Sequence, residues 1–153
     1  MIIPFAALRR VFLLLIVSAV ASGCEPGGKA EMELTQTLTN AAEAVAPGQS
    51  LSLDKVVTQP WDHVLLFGPY TTVDLMKKAV GGDLPPALQR IQIEQRDDVN
   101  AVVFVREGKV AAAVALPRRV ADFPKSELLR SVPRTQAKLL RAATGVEFRW
   151  QGS

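Results

Sequence analysis

The stretch Gln59-Pro60-Trp61-Asp62-His63-Val64-Leu65-Leu66-Phe67-Gly68-Pro69-Tyr70 decides how this chain is built. Val64 to Phe67 is apolar at every position. A run of that kind fits a strand buried on both faces, in the middle of a covered sheet. Gly68-Pro69 ends it, because proline cannot donate to a strand ladder. The same stretch holds one of two tryptophans, the only histidine and the only tyrosine. Trp61, Asp62, His63 and Tyr70 are therefore the candidate binding rim, bracketing a core strand.

Downstream, Thr71-Thr72-Val73-Asp74 has capping-box spacing, with Asp in place of the preferred Glu. It predicts a helix over Val73 to Val80, with Lys77 and Lys78 in the last turn and Gly81-Gly82 at the stop. Leu84 to Ile93 is ambiguous: Pro85-Pro86 opens a short helix, then Ile91 and Ile93 alternate as in a strand. Val99 to Val105 and Lys109 to Leu116 read as a hairpin across Glu107-Gly108. With Arg106 opposite Lys109, Phe104 would face Ala111, Val103 Ala112 and Val102 Ala113. That leaves an alanine floor on which a helix can lie close. Asp122-Phe123-Pro124 reads as a loop, Ser126 to Val132 as one or two helical turns, and Thr135 to Ala143 as a helix stopped at Gly145. Val146 to Trp150 alternates as a half-exposed strand does.

Upstream, Leu51-Ser52-Leu53 alternates as a short strand. Leu34, Leu38, Ala41, Ala42 and Val45 recur at helical spacing, ended by Pro47-Gly48. The stripe is thin, so weak docking is expected. The pattern as a whole implies an α+β fold, a small, mostly antiparallel sheet of about four strands with helices packed on one face.

The first residues read differently. Arg9 and Arg10 precede a ten-residue apolar run, Val11 to Val20. That is half the roughly 20 residues a membrane span needs, and a charged start, short apolar stretch and small residues make an export signal. Ala21-Ser22-Gly23-Cys24 resembles the lipobox of bacterial lipoproteins, with Ala21 where Leu is usual. The resemblance implies cleavage before Cys24, acylation of its sulfur and anchoring to a membrane. Arg9-Arg10 also resembles a twin-arginine signal, but Leu8 and the Leu-rich run favour general secretion. Glu25 after the cysteine, where Asp would imply inner-membrane retention, favours the outer membrane. The expected organisation is residues 1–23 as signal peptide, 24–50 as a tether with a candidate N-terminal helix, and 51–153 as one α+β domain. Within the tether, Glu25 to Lys29 is read as a polar spacer.

Cleavage would remove two arginines, leaving 16 basic against 15 acidic residues where the whole chain carries 18. A charge so near zero gives no footing for nucleic acid. With its only cysteine acylated, the chain has no disulfide and no thiolate metal ligand. One histidine would leave only carboxylates to complete a zinc site, so no metal or other cofactor is expected. Asp62-His63 is the one acid–base pair by sequence. Neighbours in a strand point to opposite faces, however, so these two would not hydrogen-bond side chain to side chain. Arg130, Arg134, Lys138 and Arg141 step at helical spacing. They form either a stripe for anionic head groups or a solvated face that Pro133 breaks, and the solvated face is favoured.

Trp61-Asp62-x-Val64-x-x-Phe67-x-Pro69-Tyr70-Thr71 is similar to a motif of small bacterial envelope proteins of unassigned function. It carries no catalytic residues over. The expectation is a lipid-anchored, periplasm-facing, non-enzymatic protein that binds another envelope component. Two other readings stay open. An inhibitor or immunity protein would expose Tyr70 or Trp150 as a wedge. A small hydrolase would need a hydroxyl or carboxylate beside His63.

Overall fold

A computed structural model describes residues 26–152. The residues read as export signal and lipobox, Cys24 included, lie outside the described residues. The elements run α1 (Pro26–Ala44), β1 (Ser50–Ser52), α2 (Leu53–Val56), β2 (His63–Phe67), α3 (Val73–Val80), α4 (Pro86–Gln89), β3 (Val99–Arg106), β4 (Lys109–Pro117), β5 (Val132–Pro133), β6 (Lys138–Arg141) and β7 (Phe148–Trp150). Short 3-10 turns at Ile93–Gln95, Lys125–Glu127 and Arg134–Gln136 connect them.

The architecture is α+β, as the pattern implies. A four-stranded antiparallel sheet has the order β4-β3-β2-β5, and a second sheet, β1-β6-β7, adds three strands. β2 lies inside the larger sheet, so its unbroken apolar run has the expected cause. Val64 and Leu66 join one core, Leu65 and Phe67 the other. The first core is closed by α1, α2 and the second sheet, through Leu38, Leu53, Leu139, Phe148 and Trp150. The second is closed by Met76 and Val80 of α3, Leu88 of α4, and Ile91 and Ile93 beyond it. Cover is thus on both faces of the four-stranded sheet, fuller than a single helical layer. Each fully buried Leu, Ile or Phe side chain contributes about 1.5–3 kcal/mol.

Local signals explain most boundaries. The α3 cap falls one residue later than the box predicts: the Thr72 hydroxyl accepts the Leu75 N–H, while the Thr71 hydroxyl donates to the Gly68 carbonyl. Gly81, at φ 78°, supplies the left-handed residue that stops the helix. In the β3–β4 hairpin, Arg106 does face Lys109. A bulge between Phe104 and Val105 then moves the register, so Phe104 opposes Ala112 and Val103 opposes Ala113. Large still faces small at these pairs, and both α1 and α4 pack against β4.

Five expectations need correction. α1 is a docked helix and not a weak one: Leu34, Leu38 and Ala42 are buried in the first core, and Nη2 of Arg90, the α4 C-cap, donates to both carboxylate oxygens of Glu31. Residues 26–29, read as spacer, are its first turn. Ile91 and Ile93 belong to a turn that buries both, not to a strand. Ser126 to Val132 holds only the 3-10 turn at its start before β5. The largest difference is at Thr135 to Ala143, where strand β6 replaces the helix. β6 lies between β1 and β7 and bonds to both, so the ladder overrides local helix propensity.

Candidate functional site

The sequence-predicted rim is split between the two ends of the larger sheet. At about 3.3 Å per residue, β2 alone separates its ends by roughly 13 Å. Trp61, Asp62 and His63 enter the strand beside the β3–β4 turn; Tyr70 lies beyond its exit.

At the entry, Trp61 is core. Its indole N–H donates to the Val57 carbonyl at 3.1 Å, its ring meets Phe104 edge-on at 5.2 Å, and the Arg134 guanidinium lies over it at 5.1 Å. Asp62 is exposed, yet its carboxylate is engaged by the Glu107 N–H at 2.6 Å. Its main chain clasps both neighbours, N–H to Val105 and carbonyl from Arg134. His63 is half-buried between Val105 and Pro133. Among the described residues, no hydroxyl or carboxylate is hydrogen-bonded to its ring. Asp62 and His63 are therefore not a dyad, and the hydrolase reading lacks the partner it needs.

At the exit, Tyr70 is 61% exposed. Its backbone is held at φ 60°, a left-handed conformation uncommon for a large residue, by donation of its N–H to the Ile93 carbonyl at 2.9 Å. Val73 and Leu75, 39% and 46% exposed, follow at the start of α3. Beside them a surface groove of about 390 Å³ runs between α3 and the turn after α4, lined by Val73, Met76, Lys77, Gln92 and Glu94 among others. The exit thus presents apolar side chains on pinned backbone.

The same end carries a polar network that sequence reasoning missed. Arg118 makes a bidentate pair with Asp122 at 2.8 and 2.7 Å and donates a third bond to the Asp97 carbonyl. One Asp122 oxygen also accepts the Phe123 N–H and the Asn100 amide. The Arg118 hydrogen bonds hold the Asp122 carboxyl below the usual carboxylate range against the opposing effect of burial, and Asp122 in turn raises Arg118. Arg96 and Asp98 pair likewise, lowering Asp98 and raising Arg96. Asn100 is fully buried and also donates to the Ala121 carbonyl. Its signal was an amide inside the apolar run Val99 to Val105, a residue that needs a partner when buried. Asp122 gave no such signal, because a carboxylate in a loop reads as solvated.

Each of these carboxylates is held by an arginine, and the Arg118–Asp122 pair ties the loops at this end together. Among the described residues no group of three His, Cys, Asp or Glu side chains comes together to hold a metal, and no helix is long and apolar enough to cross a membrane. The basic stripe is dispersed: Arg130 pairs with Glu127, Arg134 covers Trp61, and Arg141 donates to the Val45 and Gly145 carbonyls. No protein-family model matches the chain, and neither curated proteins nor solved structures yield a match.

Proposed function

We propose that this chain is a lipid-anchored bacterial envelope protein, held by acyl chains on Cys24, that binds another envelope component through the Tyr70 end of its larger sheet. The observation that carries the binding surface is Tyr70 itself, 61% exposed on a left-handed backbone tied to Ile93, with Val73 and Leu75 exposed beside it. An aromatic side chain held outward on fixed backbone loses little conformational freedom on binding, which is what an interface anchor requires. Support for the anchor is the lipobox resemblance of Ala21 to Cys24, and the outer membrane is favoured by Glu25.

The same exposed Tyr70 supports a narrower reading, an inhibitor or immunity protein whose wedge enters an enzyme cleft. Trp150, the other wedge considered, is buried.

The test is crosslinking and capture from intact envelopes of three forms of the protein. Tyr70→Ala is expected to lose the captured component while staying in the membrane fraction. Cys24→Ser is expected to leave that fraction. Capture unchanged by Tyr70→Ala would reject the binding surface, and unchanged partitioning of Cys24→Ser would reject the anchor.

A further inference from the structure

We infer that the domain rides directly on the bilayer with its β3–β4 hairpin end toward the lipid, Lys29, Arg106 and Lys109 meeting anionic phospholipid head groups, so that the Tyr70 end is held away from the membrane. This rests on acylation of Cys24, as proposed above.

The first premise is covalent reach. α1 begins at Pro26, two residues after Cys24, and two residues span at most about 7 Å. An acyl chain in the bilayer therefore holds the start of a docked helix at the lipid surface, not at the end of a long spacer.

The second premise is the direction of α1. Ala30 and Leu34 line one recess with Gln59, Ala111 and Ala112, near the start of β4. Glu43, at the other end of α1, lies 3.8 Å from Arg119, just past the end of β4. The helix thus runs alongside β4 in the same sense, and its start is level with the hairpin turn. Holding one end at lipid holds the other at a distance. The nine-residue β4 spans about 26 Å at 3.3 Å per residue, and Tyr70 belongs to the far end.

The third premise is charge. Lys29 and Lys109 have no ionic partner among the described residues, although Glu33 stands one turn on from Lys29. Arg106 meets only Glu107, at 3.9 Å, the exposed acid of the turn. Of the other nearby acids, Glu31 is paired with Arg90, whereas Asp62 accepts the Glu107 N–H and keeps its charge. At the far end Arg96 and Arg118 are each engaged by a carboxylate. Unneutralised cations close to the anchor are drawn to an anionic surface, and the attraction falls away within a Debye length.

Acylation occupies the Cys24 sulfur, so one added cysteine can carry a fluorophore. The full-length acylated protein is prepared as Gln59→Cys or Asp74→Cys, both exposed and at opposite ends. Each is placed in phosphatidylglycerol–phosphatidylethanolamine vesicles containing a head-group-labelled quencher lipid. The Gln59 label is expected to be quenched several-fold more than the Asp74 label. Adding Lys29→Glu and Lys109→Glu is expected to weaken that quenching in these vesicles but not in neutral phosphatidylcholine. Equal or reversed quenching of the two labels would overturn the orientation alone. Quenching indifferent to the lysine changes would overturn the head-group contact. Mass spectrometry showing an unmodified Cys24 in the same sample would overturn the anchor, and the orientation with it.

Discussion

The side chain of Glu127, 5% exposed, accepts the main-chain N–H of Trp150 at 3.2 Å, and the Glu127 carbonyl accepts the Trp150 indole N–H at 3.3 Å. One residue in a connecting turn thereby fixes both the backbone and the ring of the last strand. Ser126 and Arg130 satisfy the rest of the carboxylate, at 3.1 and 3.2 Å. Removing it takes an acceptor from the buried Trp150 N–H and a counter-ion from Arg130. Glu127→Ala is expected to lower unfolding free energy by about 2–4 kcal/mol. Glu127→Gln keeps an acceptor for Trp150 and is expected to lose clearly less. Urea denaturation followed by tryptophan fluorescence measures both, and equal losses would show that the carboxylate's charge, which Gln also lacks, matters more than the acceptor or the space it fills.

Asp122 joins the two sheets. Its main chain pairs with Val146 and Phe148 beside β7, while its side chain holds Arg118 and Asn100 at the end of the larger sheet. Because its folded pKa is depressed, its stabilisation is present above the unfolded value, about 3.9, and is lost as pH falls through the lower folded value. Asp122→Asn is therefore expected to be less stable than the parent at pH 7. The gap should narrow as pH falls below about 4. Denaturant midpoints at pH 7 and pH 3 test this, and a gap that does not change with pH would remove the ionic account.

Some of this architecture was legible because local chemistry and tertiary demand agree. Val64 to Phe67 reads as a covered strand and is one, because four consecutive apolar residues suit a position with core on both faces. Glu107-Gly108 reads as a two-residue turn, and both residues take the positive φ, 50° and 73°, that such a turn requires. Other features were not legible. Nothing local distinguishes a thin helical stripe that docks from one that does not, so α1 became clear only beside β4 and α4. The rim failed for a geometric reason: residues close in sequence lie at opposite ends of a strand. Asp122 and Glu127 looked like solvent-exposed acids, since their partners Asn100 and Trp150 are more than twenty residues away.

Lys138 to Arg141 shows how a misread period can be tested. A helix over Thr135 to Ala143 would place Leu139 and Leu140 on one buried face. In β6 they point to opposite faces, and Leu139 is 2% exposed against 39% for Leu140. Leu139→Ala is expected to cost about 2–5 kcal/mol, and Leu140→Ala under about 1 kcal/mol. Thermal or urea unfolding of the two variants separates the structures, because comparable losses would favour the helix.

The closest test of the docked helix compares Leu38 with Met32. Both are large apolar residues of α1, but Leu38 is 1% exposed and enters the core with Leu34 and Ala42, whereas Met32 is 69% exposed. If α1 were a stalk, neither side chain would matter to the domain. As part of the core, Leu38→Ala should leave a cavity and cost about 2–5 kcal/mol. Met32→Ala should stay within about 0.5 kcal/mol of the parent. The effect of Leu38→Ala should also appear as one cooperative transition, since its neighbours in the core come from α2 and both sheets. An early, separate melting of α1 with the rest unchanged would mean that the helix can leave the domain. The proposed anchor would then stand at the end of a long flexible arm, and the proposed close seating on lipid would no longer follow.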